Sequence, residues 1–201
     1  MNPAERLKKI KSFLEEKGTD AELKRAFWKP AGLLRRVVNQ TLEANWLKTS
    51  DSLTQKLKRH FPDLEVTVLS EKMETPLLHE AQKLGISIHQ EVWIRCVLLK
   101  SGSHELVYAR TVIPYFDEQN PWQSLQMLGN KPLGEVLFQD KSLQRSGFEF
   151  SRSKLQDWPY LKPSFPFHSP IAFARRSVFE KNDAPLLLTE VFLPPLFHQH
   201  S

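Results

Sequence analysis

Apolar positions recur at helical spacing through about the first 60 residues and at strand spacing afterwards. Leu7, Ile10, Phe13 and Leu14 predict an amphipathic helix over 3–17, closed by Gly18. Thr19 and Glu22 form a capping-box pattern for a short helix ending near Trp28, before Pro30. Leu34, Val37, Val38 and Leu42 carry a periodic stretch over 31–47, and Asp51 is placed to cap a helix over 52–60. From Glu65 to Ser70 the pattern alternates and is rich in Val, which predicts a strand. A short helix over 77–84 stops at Gly85. Strands over 88–100 and 105–113, joined by Ser101-Gly102-Ser103, predict an antiparallel hairpin. Residues 121–138 read as helix in two pieces broken at Gly129-Asn130-Lys131-Pro132, and 147–152 as a strand. Pro159, Pro163, Pro166 and Pro170 mark an irregular loop over 157–170. Two last strands, 171–180 and 185–193, flank Lys181-Asn182-Asp183, and His198 to His200 form a frayed tail. Strands joined by hairpin turns rather than helical crossovers predict an α+β fold, a mainly antiparallel sheet with helices on it.

Composition narrows the classes. The 201 residues are enough to bury a core, and 40% hydrophobic with 25% charged is ordinary for a globular domain. No apolar run approaches the ~20 residues of a membrane span, and the N-terminus has no apolar signal region, so a cytoplasmic protein is expected. One cysteine, Cys96, excludes an internal disulfide framework and a Cys-based zinc site. Set mid-strand among apolar residues, it reads as an inert core thiol. His60, His79, His89, His104 and His168 lie far apart in sequence and pair with no acid at ligand spacing, so no metal site is expected. Glycine-rich phosphate loops and the G-x-S-x-G elbow are absent. The net charge of +5 permits nucleic acid as a partner without demanding it. Lys8, Lys9, Lys11, Lys24, Arg25, Arg35 and Arg36 are interleaved with acids, which reads as a solvated helical face.

The informative feature is a set of lone charges inside apolar strands. Arg95 shares a face with Trp93, Val97 and Leu99, while Ile94, Cys96 and Leu98 make the other face equally apolar. Arg110 shares a face with Leu106, Tyr108 and Val112, and Glu190 with Leu186, Leu188 and Phe192. Arg175 and Arg176 are adjacent, so one faces each side of the sheet. Buried charges are costly unless paired. One reading pairs Glu190 with an arginine and lets the other charges reach solvent. The other is an internal site whose excess of guanidinium groups suits a small carboxylate, with the glutamate reading a hydroxyl or handling a proton. Two helix starts could add orphan N–H donors, at Leu133 behind Pro132 and at Leu53. Against this, both leucines fit as plain core residues of short helices, and a cap can itself take up the amide at Leu53.

At these strands the sequence resembles chorismate pyruvate-lyases. The stretches that carry the resemblance are Trp93-Ile94-Arg95-Cys96-Val97-Leu98-Leu99, Ala109-Arg110-Thr111-Val112-Ile113-Pro114 and Leu128-Gly129-Asn130-Lys131-Pro132-Leu133-Gly134. Leu137-Phe138, Arg175-Arg176-Ser177 and the run from Pro185 to Pro194 follow in the same order. The resemblance covers about 28–197 and implies a lyase-like domain over 28–201 behind an N-terminal helical extension, 1–27. It implies a six-stranded antiparallel sheet with an internal site under two helical flaps. It implies a carbon–oxygen lyase that converts chorismate to 4-hydroxybenzoate and pyruvate, opening ubiquinone synthesis, with no metal or organic cofactor. Arg95 would hold the ring carboxylate, completed by backbone groups of Leu53 and Leu133, one on each flap. Glu190 would meet the ring hydroxyl, to orient it or to move a proton, and Arg110 would face the enolpyruvyl carboxylate. The family's first flap often carries methionine where Leu53 stands, a change to which a backbone contact is indifferent. Chorismate and 4-hydroxybenzoate are the expected partners, and a monomer is compatible with the pattern. The rival is a non-catalytic module binding 4-hydroxybenzoate or a similar carboxylate, or the effector-binding domain of a regulator, though no convincing recognition helix precedes the first strand.

Overall fold

The computed structural model describes residues 28–38, 41–140, 142–162 and 171–197. The expected helices before Trp28, the extension over 1–27, most of the proline-rich loop and the histidine tail lie outside them. In chain order the elements are β1 (Lys29–Pro30), a 3-10 turn (Ala31–Arg36), α1 (Thr41–Leu47), α2 (Leu53–His60) and β2 (Glu65–Glu74). Then come α3 (Leu78–Leu84), β3 (Val92–Ser101), β4 (His104–Ile113), a 3-10 turn (Gln123–Met127) and α4 (Leu133–Leu137). Last are β5 (Gln144–Arg145), β6 (Glu149–Lys154), β7 (Ile171–Lys181) and β8 (Ala184–Phe192). No helix among the described residues is long and apolar enough to cross a membrane.

The sheet is antiparallel in the order β1-β6-β7-β8-β4-β3-β2, with β5 paired to β7. It has eight strands rather than the six expected. The two extra ones, β1 and β5, are two residues each, too short to leave a period-two signature. The fold class is α+β as read. The last hairpin turns through Asn182 and Asp183, both at positive φ, the turn geometry that follows strand twist. Gly85 ends α3 in the left-handed conformation.

Three local expectations shift. The stretch 31–47 is a 3-10 turn followed by α1, not one helix. The cap of α2 is Ser52, not Asp51: its Oγ accepts from the Gln55 N–H at 3.3 Å. That cap takes up the amide of Gln55 and leaves the Leu53 N–H outside the helical ladder. The hairpin of β3 and β4 closes on a two-residue turn but carries a bulge. Leu99 pairs with Val107 and Lys100 with Glu105, which leaves Leu106 as the extra residue.

Both faces of the sheet are covered. On one, α1 and α2 pack Trp46, Leu47, Leu53 and Leu57 against Val97, Leu99 and Phe192. Further along the same face, Leu125, Leu128 and Leu137 pack on Trp93, Ile113 and Leu188. On the opposite face Trp158 and Leu161 cover Ile94, Cys96, Tyr108 and Val191.

Candidate active site

Between the two apolar clusters of the first face runs a polar band. Strand alternation puts Arg95, Thr111, Glu190, Arg175 and Ser177 on that face together. Ala109 lies between the Arg95 and Glu190 rows and touches both clusters. Arg95 on β3 and Glu190 on β8 are separated by one strand and offset by two residues along it, so their backbones stand roughly 12 Å apart.

Arg95 is only 2% exposed. Its guanidinium donates to Glu71 on β2 and to the Gly129 carbonyl, in the loop that leads into α4. Glu190 accepts from Arg175 Nε at 2.5 Å. Arg175 also donates to the Leu47 and Thr49 carbonyls, and Arg145 to the Ser50 carbonyl, so both tie down the segment leading into α2. The buried arginines of this face therefore fasten the roots of both helices that cover it. Glu190 does pair with an arginine, but Arg95, Arg110 and Arg176 stay buried rather than reaching solvent.

The helices α2 and α4 meet over the band, as two flaps would. Lys58 and Glu135 form an ion pair across them. Gly134 sits where a Cβ would stand 2.8 Å from Thr54 Oγ1, so only glycine allows this approach. Leu53 opens one helix and Leu133 the other, each at a position whose N–H has no intrahelical acceptor.

Arg110 does not join this group. The bulge at Leu106 pairs Arg110 with Cys96 instead of Arg95, which turns its side chain to the opposite face. There it is 1% exposed and held by Glu80 of α3, Nε to Oε1 at 2.7 Å and Nη2 to Oε2 at 3.2 Å. Glu74 and the Cys96 sulfur complete its contacts at 3.3 Å each. Burial opposes the Arg110 charge, but the Glu80 carboxylate outweighs it and holds the pKa above its ordinary value. Arg110, expected to face the enolpyruvyl carboxylate, thus lies on the face opposite Arg95 with Glu80 across its fork. Cys96 is buried beside it, and burial pushes its thiol pKa up, in keeping with an inert core thiol.

Of the predicted site residues, Arg95 and Glu190 share one face, under the helices that Leu53 and Leu133 open. Glu80 and Arg145 went unread. Glu80 had a signal, since it lies on the helical stripe of Leu77, Ala81 and Leu84. Arg145 had none, because all its partners but Phe148 are distant in sequence.

The sequence profile of the chorismate lyase family matches residues 22–201. A probable chorismate pyruvate-lyase of Hydrogenovibrio crunogenus is 45% identical over 166 residues, covering 83% of this chain and 89% of that protein. One of Pseudomonas putida is 36% identical over 172 residues, covering 85% of this chain and 89% of that protein. Among solved structures, the PhnF C-terminal domain is similar with a TM-score of 0.51 at 18% identity, covering 68% of this chain and 85% of that one. That likeness speaks to the fold alone. With the profile matched over most of its length and relatives of this similarity, the chain belongs to the chorismate lyase family.

Proposed function

We propose that this protein converts chorismate to 4-hydroxybenzoate and pyruvate in the polar band under α2 and α4. The observation that carries the reading is the placement of Arg95 and Glu190 on one face, one strand apart, under two helices. Arg95 takes the ring carboxylate, with the Leu53 and Leu133 amides as further donors. Glu190, fixed by Arg175, meets the ring hydroxyl.

The chemistry needs orientation and charge stabilisation. The bond between the ring and the enolpyruvyl oxygen breaks, and that oxygen keeps the electron pair. The hydrogen on the hydroxyl-bearing carbon leaves as a proton, and its bonding pair completes the aromatic ring. A proton returned to the enolpyruvate gives pyruvate. Purified protein incubated with chorismate, with and without a chelator, is expected to give equimolar 4-hydroxybenzoate and pyruvate by chromatography in both cases. No turnover together with tight 4-hydroxybenzoate binding would favour the non-catalytic binding module instead.

Glu190→Gln separates two roles of this side chain. If it moves the proton, kcat is expected to fall about a hundredfold, the usual scale of general acid–base assistance. Undiminished turnover excludes proton transfer and leaves orientation of the hydroxyl.

The flap contact yields a prediction of its own. Gly134→Ala drives a methyl into Thr54 and wedges α4 off α2. Crowding of this kind costs about 1 kcal/mol or more, so dissociation of 4-hydroxybenzoate should quicken roughly fivefold. Stopped-flow displacement measures that rate, and an unchanged rate means that the two helices do not part at this contact during release.

A further inference from the structure

We propose that Arg145 receives the carboxylate of the enolpyruvyl arm and carries the charge that develops there as the arm departs. The assignment rests on the lyase reading above and offers a cation for that arm on the face that carries Arg95 and Glu190, whereas Arg110 lies on the opposite face, held by Glu80.

Chorismate brings two carboxylates. Its enolpyruvyl ether is attached to the ring carbon next to the one that bears the hydroxyl. With the ring carboxylate on Arg95 and the hydroxyl at Glu190, the arm leaves the ring on the Glu190 side. Two guanidinium groups lie there. Arg175 is neutralised by Glu190 and spends further N–H groups on the Leu47 and Thr49 carbonyls. Arg145 is placed differently. Its Cζ lies 4.0 Å from the Phe148 ring centre and 4.9 Å from that of Phe179, and Phe148 also faces Arg175 Cζ at 4.6 Å.

Arg95, Arg110, Arg175 and Arg176 each have a carboxylate within ion-pair distance. Among the described residues Arg145 has none. It donates Nε to Ser177 Oγ at 2.9 Å and Nη1 to the Ser50 carbonyl at 3.2 Å. A guanidinium has five N–H groups, so enough remain for a carboxylate fork. Burial pulls its pKa down to about 10; Glu190 opposes that fall and Arg175 adds to it. The group is still cationic at neutral pH, and among the described residues only the more distant Glu190 charge answers it, with no carboxylate at ion-pair distance. Lys56, the other cation near Arg175, lies over the Trp46 ring with its Nζ bonded to the Asn45 carbonyl and Thr49 Oγ1. A dianionic substrate supplies the close counter-charge that Arg145 lacks. As the ether bond breaks, the departing enolpyruvate gains negative charge, and a fixed cation in a half-dry setting stabilises it.

The test compares wild type, Arg145→Gln and Arg145→Lys in chorismate turnover and in titration with 4-hydroxybenzoate, which has no enolpyruvyl arm. Arg145→Gln is expected to lose about a hundredfold in kcat/KM for chorismate while binding 4-hydroxybenzoate like wild type. Arg145→Lys, which keeps the charge without the fork, should recover part of that loss. Equal losses toward both ligands overturn the assignment, because the side chain then serves the scaffold. So does undiminished chorismate turnover in Arg145→Gln. A wild type that leaves chorismate unchanged overturns the lyase reading and this assignment with it.

Discussion

Arg95→Ala is expected to lower kcat/KM for chorismate by about a thousandfold and to weaken 4-hydroxybenzoate binding by a similar factor. Removing one partner of a desolvated charge pair costs about 3–5 kcal/mol, and 1.4 kcal/mol is tenfold. Substrate and product share the ring carboxylate, so both lose the same contact. The equal loss distinguishes Arg95 from Arg145, whose replacement should spare the product. Arg95→Lys keeps the charge but not the planar fork and should fall between wild type and alanine. Arg95 also donates to the Gly129 carbonyl, so its removal loosens the segment that leads into α4. Glu71 is only partly buried and can turn toward water, which limits the cost to folding. Steady-state kinetics, product titration and a melting curve together check this. Loss of chorismate turnover with intact product binding would mean that Arg95 does not hold the ring carboxylate.

The strands were legible because each lone charge interrupts a period-two apolar pattern, and such a charge is conspicuous in any register. The face that each charge takes was legible only within its own strand. Arg95 and Arg110 show why. Had the two-residue turn at Gly102-Ser103 been followed by an unbroken ladder, Arg95 would stand directly opposite Arg110 on one face. Like charges in that relation repel. The bulge that leaves Leu106 unpaired moves the register by one and sends Arg110 to α3. Leu106 looks like any other apolar strand residue, so nothing local announces the shift. A second bulge in β2, between Val68 and Ser70, is equally silent and brings Glu71 opposite Arg95.

The helices over the site followed the same division. Their existence could be read from Pro132 and from the apolar spacing after Ser52. Their meeting could not, because it depends on Gly134 and Thr54, 80 positions apart in sequence, arriving within van der Waals reach. Arg145 escaped for the same reason. Of its neighbours only Phe148 is close in sequence, while Ser177 and Phe179 come from β7 and Ser50 from before α2, and a two-residue strand gives no period to read.

The same register shift makes a second large effect testable, this time on stability. Glu80 is 0% exposed and Arg110 1%, so Glu80→Ala strands a guanidinium with only Glu74 at 3.3 Å to answer it. Breaking a buried pair from one side costs about 3–5 kcal/mol. For a domain of this size that lowers Tm by roughly 10 °C or more. It also frees the Leu77 N–H, which Glu80 accepts at 2.8 Å at the start of α3. Replacing both partners with apolar residues of similar volume, Glu80→Leu with Arg110→Met, removes the unpaired charge and should restore most of the lost Tm. Glu74 is not stranded by this change, because it retains Tyr160 and Lys72. Activity of the doubly substituted protein then decides what Arg110 does. If it acts by holding α3 against the sheet, the folded double variant turns over chorismate at close to the wild-type rate. A double variant that melts like wild type yet is inactive would place Arg110 in the reaction and overturn the reading of its face.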